Sequence, residues 1–162
     1  MKERTLLFLY KPKERQILLA MKKRGFGEGK WNGVGGKIEA GETIEAAAVR
    51  EAKEEIGVDI EPADLKKAAV IDFSFDGKPD FNQRVHAFFT EVWEGEPRES
   101  EEMRPEWYST DAVPYEAMWI DDRHWLPRAL AGEKLSARFT FDRDGSEILD
   151  MDVSVLSSPA YE

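Results

Sequence analysis

Apolar residues alternate or run together in short blocks through most of the chain, and fall at helical spacing in one central stretch. Residues 5–10 (TLLFLY) and 17–21 (ILLAM) read as strands joined by a polar turn at 11–15. After a glycine-rich loop, Thr43 is placed to cap a helix. Ala46, Ala47, Ala48 and Val49 form or pack it, and Gly57 stops it. Residues 70–75 alternate as a half-buried strand does. Asp76 and Gly77 mark a turn, and 84–93 reads as a longer strand. A further strand is predicted at 103–108. Residues 115–130 look partly helical, with Pro127 near a break. Residues 138–141 and 148–155 flank Asp144-Gly145, a hairpin signal. No repeat and no linker is visible. The expectation is an α/β (α+β) fold, a mixed sheet with helices on its faces, in one domain spanning 1–162.

Composition agrees with a packed core: 41% hydrophobic and 11% aromatic over 162 residues. The absence of cysteine excludes disulfide and thiol chemistry. The apolar run from Leu6 to Tyr10 is too short for a signal peptide or a membrane span, so a cytoplasmic enzyme is expected; a monomer is the default, with nothing in the sequence to fix the oligomeric state. A net charge of −10 argues against nucleic acid as a partner. One segment opposes that trend. Residues 21–37 carry Lys22, Lys23, Arg24, Lys30 and Lys37 against Glu28 alone, and hold six of the twelve glycines. A basic, glycine-rich loop before an acidic helix points to a small anionic ligand held with a metal. Ile38 after Gly36-Lys37 rules out a P-loop.

The acidic helix carries the strongest signal. Gly36, Glu42, Arg50, Glu51, Glu54, Glu55 and Gly57 stand at G-x5-E-x7-R-E-x-x-E-E-x-G. Glu51, Glu54 and Glu55 lie at i, i+3 and i+4, offsets that share a helix face. Three unpaired carboxylates on one face repel. A divalent cation relieves that repulsion, and hard oxygen ligands suit Mg²⁺ or Mn²⁺. Glu39 and Glu45 lie off this face and are expected to be surface charges. A merely solvated acidic face would leave the fixed glycines and Arg50 without a reason.

This segment resembles the signature of the Nudix hydrolases, which cleave nucleoside diphosphates linked to another group. Every fixed position is filled; Ala52 alone stands where a bulkier aliphatic residue is usual. The resemblance implies the Nudix fold, a mixed β-sheet sandwiched between helices. It makes the backbone carbonyl of Gly35 a metal ligand beside Glu51, Glu54 and Glu55, and places Glu102 of ESEEMRPEW as the further acidic ligand. Glu51 and Glu102 compete for the role of water-activating base. Arg50 is expected to pair bidentately with Glu42 and hold loop to helix.

The likeness extends through MKKRGFGEGKWNGVGGK, ESEEMRP and MWIDD to the terminal FTF and ILDM patterns. It is similar there to the oxidised purine nucleoside triphosphatases, relatives of MutT that cut between the α and β phosphates. In that group the residues matching Asn32, Trp119, Asp121 and Asp122 contact the base, and those matching Thr5, Lys22, Phe26 and Phe73 line the same pocket. The residue types agree. Aromatic faces stack on purines, and an amide donates and accepts at once. Two carboxylates in a dry pocket rarely both ionise, so one can hold a proton and donate it. The competing expectations are core packing for Phe73 and a helix cap for the Asp121-Asp122 pair. His86 and His124 fit no ligand spacing and are expected to be structural.

The chain also departs from that group's pattern. The first hairpin is longer around residues 13–16, and Ile120 replaces a proline. Asn82 or Gln83 falls where a pocket methionine is expected. A hydrolase of ADP-ribose or a dinucleoside polyphosphate is the alternative. Those groups often carry a proline or tyrosine downstream of the box, where this chain has Phe73-Ser74-Phe75. A binding module without turnover has no need of all three helix carboxylates.

Overall fold

The computed structural model describes residues 1–156. Its strands are β1 (Lys2–Lys11), β2 (Gln16–Lys22), β3 (Trp31–Asn32), β4 (Lys66–Phe75), β5 (Gln83–Thr90), β6 (Met103–Ser109), β7 (Leu135–Phe141) and β8 (Ile148–Val155). Its helices are α1 (Ile44–Ile56) and α2 (Asp122–Leu130). The strands run β3-β2-β1-β5-β4-β7-β8, with β6 added on β2. β1 is parallel to β5 and β4 to β7, and the remaining pairs are antiparallel, so the sheet is mixed.

Both faces of this sheet are covered, which explains why β1 reads as a nearly continuous apolar run. Leu7 and Leu9 point to one face and pack with Ala48, Ala52 and Ile56 of α1. Phe8, between them, points to the other face and packs with Trp125 and Leu126 of α2. Thr43 caps α1, its hydroxyl accepting the Ala46 N–H at 3.1 Å. Gly57 ends it in the left-handed conformation at φ 74°.

Several boundaries differ from the sequence reading. β4 starts at Lys66 because a register shift between Lys67 and Ala69 breaks the alternation there. β5 stops at Thr90, where the Thr90 hydroxyl bonds both the carbonyl and the N–H of Val92 and turns the chain. β7 begins at Leu135, three residues before the predicted start at 138. Pro127 lies inside α2, which runs on to Leu130. The two-residue β3, inside the glycine-rich loop, carries no periodicity to find.

The residues after β3 bind to β1 as a further short strand. Leu7 N–H donates to Val34 O at 2.6 Å and Thr5 N–H to Gly36 O at 2.9 Å. The backbones approach so closely that a Cβ on Gly35 would lie 1.9 Å from Thr5 O. Glycine there is a requirement of contact, and it delivers the loop to the α1 carboxylates.

Candidate active site

Glu55 is the buried member of the α1 carboxylates and accepts the Gly35 N–H at 3.0 Å. Burial, with the nearby charges of Glu51 and Glu102, pushes its pKa up to about 8 against the opposing effects of the Gly35 bond and Lys22. Glu51 is half-buried beside Gly36, where a Cβ would lie 2.6 Å from Glu51 Oε1. Burial raises its pKa as well. Glu54 and Glu102 are exposed.

Arg50 is the hub of the acidic face. Its Nε and Nη2 grip Glu42 at 2.7 and 3.0 Å, the expected bidentate pair. Nη2 also donates to Lys37 O at 3.0 Å, tying the loop to α1. The guanidinium further reaches Glu51 at 3.0 Å and Glu54 at 3.3 Å. Two of the three carboxylates, Glu51 and Glu54, are therefore paired, a correction to the expectation of bare repulsion, while Glu55 is held only by the Gly35 N–H. The Glu42 bond holds the Arg50 pKa up and the Glu42 pKa down. Glu45 is exposed on another face, and Glu39 lies 3.8 Å from Arg50.

Among the described residues no three acidic or histidine side chains converge tightly enough to enclose a metal ion. The donor set still fits a hard divalent cation. Its groups are carboxylates and a backbone carbonyl, the buried Glu55 has no cationic hydrogen-bond partner among the described residues, and the lack of a Cβ at Gly36 lets the loop backbone lie against Glu51.

The eight residues expected around a base all line one cavity of about 480 Å³: Thr5, Lys22, Phe26, Asn32, Phe73, Trp119, Asp121 and Asp122. Gly35 and Gly36 line it too, and these two glycines are the residues that touch Glu55 and Glu51 of α1. Trp119 packs against the exposed Phe26, ring centroids 5.2 Å apart. Phe73 both faces the cavity and stacks on Phe139 and Phe141. Asn32 Oδ1 accepts the Gly33 N–H at 2.9 Å, which leaves its amide group to donate.

Asp121 and Asp122 are buried. Asp121 stands at the start of α2 but makes no side-chain cap; its Oδ2 accepts the indole N–H of the buried Trp125 at 3.0 Å. Asp122 Oδ2 is buried without a hydrogen-bond partner among the described residues. Burial raises both pKa values, and the Asp121 charge drives Asp122 higher still, so the pair shares a proton held on Asp122.

That proton makes stability depend on pH. In the folded chain the pair stays protonated above the ordinary aspartate value of 3.8, where the unfolded chain has already released its protons. Unfolding then releases a proton, and stability falls as pH rises, by about 1.4 kcal/mol per pH unit for one proton. Glu55 acts in the same sense when no cation is present. Thermal melting of the metal-free protein from pH 5 to 8 is expected to show this decline, shallower in Asp122→Asn. An equal decline in both proteins contradicts the shared proton.

The sequence marked Lys30 as part of the basic loop but not as a pocket residue, where its ammonium sits 5.2 Å over the Trp119 ring, and did not mark the lining residues Phe75 and Phe81. An aromatic next to a turn carries no signal that separates cavity from core. Lys23 is exposed and bonds Glu99 at 2.6 Å and Ser100 O at 2.9 Å, strapping the Glu102 loop to the glycine-rich loop. His86 bonds Glu3 at 2.9 Å, as a structural histidine does.

The NUDIX domain model matches residues 2–129, and the chain belongs to that family. It is 45% identical over 141 residues to the oxidized purine nucleoside triphosphate hydrolase of Mus musculus, covering 86% of this chain and 87% of the relative. It is 46% identical over 137 residues to the protein of the same name from Danio rerio, covering 85% of each. The crystal structure of a MutT protein from Bacillus halodurans matches with a TM-score of 0.80 at 26% identity, covering 95% of this chain and 98% of that one.

Proposed function

We propose that this chain is a divalent-metal-dependent hydrolase of oxidised purine nucleoside triphosphates. It releases the monophosphate and pyrophosphate and so clears damaged nucleotides from the pool. The observation that carries this reading is one cavity lined by Phe26, Phe73, Trp119, Asp121 and Asp122 and also by Gly35 and Gly36, the glycines in contact with Glu55 and Glu51. The relatives with the same names at 45% and 46% identity support it.

In this proposal Trp119 stacks on the base, Asn32 donates from its amide, Asp122 donates the shared proton and Asp121 accepts. Thr5, Lys22, Phe26 and Phe73 close the pocket around it. Glu51, Glu54, Glu55, Glu102 and the Gly35 carbonyl hold the cation, Mg²⁺ with Mn²⁺ as a substitute. When bound, that cation neutralises phosphate charge in the transition state. Glu51 and Glu102 are the carboxylates that place and deprotonate the attacking water, and Arg50 with Glu42 keeps them in register. The chain works as a single cytoplasmic domain, as a monomer, on a small-molecule nucleotide and not on nucleic acid. No helix of the described residues is long and apolar enough to cross a membrane.

With the base held at Trp119, the water attacks the β phosphorus. Its oxygen enters pyrophosphate, and the bridging oxygen leaves with the monophosphate. Hydrolysis in ¹⁸O-water should therefore label pyrophosphate. Label confined to the monophosphate moves the attack to the α phosphorus and contradicts this placement.

A further inference from the structure

Two amides lie where β4 turns into β5, and the structure separates their roles. Asn82 Oδ1 accepts the Phe75 N–H at 3.0 Å and closes the turn. Gln83 lines the cavity instead. It lies directly across the ladder from Phe73, so both side chains share the face that α2 covers. It is half-buried, beside Val85, Phe75 and Phe141 in the cavity wall.

The other side-chain acceptors of the neutral lining residues are already engaged. Thr5 Oγ1 lies at 3.4 Å from the Gly36 N–H, and Asn32 Oδ1 takes the Gly33 N–H. The Gln83 amide has neither its donor nor its acceptor paired among the described residues, so it is the one neutral lining side chain that offers both a free donor and a free acceptor. A ligand that closes this wall from water must bond the amide or leave it desolvated and unpaired.

We propose that Gln83 is a specificity-determining residue that reads the oxidised edge of the purine. The inference rests on the hydrolase reading above. An 8-oxo purine carries N7–H beside C8=O, a donor next to an acceptor. A primary amide offers the complement: Oε1 accepts from N7–H while Nε2 donates to O8. Unoxidised guanine has an acceptor at N7 and only C–H at C8, so the amide can at best donate from Nε2 to N7 with Oε1 stranded, and turned the other way it forms no bond. Asp121, Asp122 and Asn32 then read the remaining edge. Gln83 thereby adds to the discrimination that fit and proton placement at that edge provide.

The test compares kcat/KM for 8-oxo-dGTP, dGTP and 2-hydroxy-dATP in wild type and Gln83→Met, which keeps length and removes both polar atoms. The ratio of 8-oxo-dGTP to dGTP is expected to fall by roughly 10- to 100-fold, carried by 8-oxo-dGTP, as for a site that loses a bidentate polar match. The activity on 2-hydroxy-dATP, whose N7 and C8 are unmodified, is expected to change by less than about threefold, which also reports an intact fold. Calorimetric binding of 8-oxo-dGMP and dGMP to the metal-free protein should show the same loss of preference without any turnover. An unchanged ratio, or an equal loss on all three substrates, overturns the role of Gln83 and leaves the hydrolase reading standing. A wild type that hydrolyses no oxidised purine triphosphate overturns both.

Discussion

Replacing Glu55 by glutamine is expected to lower turnover by roughly 10²-fold or more with the fold intact, since metal ligation of this kind contributes several kcal/mol in the transition state and each 1.4 kcal/mol is tenfold. The glutamine carbonyl can keep the Gly35 N–H that Glu55 Oε1 now accepts at 3.0 Å, so loop and helix stay joined. The change also removes a buried acid with a raised pKa, so the metal-free variant should lose less stability between pH 5 and 8 than wild type. Glu54→Gln should show a comparable loss of turnover, because its exposure matters little to a charge that ligates. Glu45→Gln, on another face of α1, should be nearly silent. Steady-state rates with Mg²⁺ varied check all three. Equal losses at Glu45 and Glu55 remove the basis for a metal-binding face.

The second large effect concerns base choice. Asp121→Asn and Asp122→Asn should each change the ratio of kcat/KM between 8-oxo-dGTP and 2-hydroxy-dATP, and in different ways. The two carboxyls share one proton in a buried pocket, so moving it presents either donor pattern to the base. An amide fixes one pattern. A mismatched buried polar edge costs about 1–3 kcal/mol, so the ratio should shift roughly 5- to 150-fold. Asp121 carries a further duty, since it anchors the Trp125 indole N–H at 3.0 Å. Part of the loss in Asp121→Asn should therefore be shared by all substrates, whereas Asp122, with an unpartnered oxygen, should act on selectivity alone. Activation by Mg²⁺ should be the same in both variants. A uniform loss across substrates in both would make the pair a support for the loop.

The sequence carried the fold because its strongest patterns are local. A strand buried on both faces shows as a run such as TLLFLY, and α1 is bracketed by a hydroxyl cap at Thr43 and a left-handed glycine at Gly57. Arg50 and Glu42 could be paired in advance because fixed spacing around a helix start constrains them to meet. Legibility ends where the cause is non-local. The register shift near Lys67, the Thr90 turn and the two-residue β3 depend on partner strands with no mark in their own residues. The graded burial of Glu51, Glu54 and Glu55 belongs to the same class. Their shared helix face makes them look equivalent, and only the loop packed on one flank buries Glu55 while Glu54 faces solvent. The choice between Asn82 and Gln83 as the cavity amide likewise waited on which one turned inward.

The most direct test of the central claim is a panel assay: 8-oxo-dGTP, 2-hydroxy-dATP, the four ordinary deoxynucleoside triphosphates and ADP-ribose, each followed for its products with and without Mg²⁺. The expected result is Mg²⁺-dependent release of pyrophosphate and monophosphate, with kcat/KM highest for an oxidised purine and ADP-ribose untouched. Preferred cleavage of ADP-ribose, or equal rates on oxidised and ordinary purines, would contradict the account.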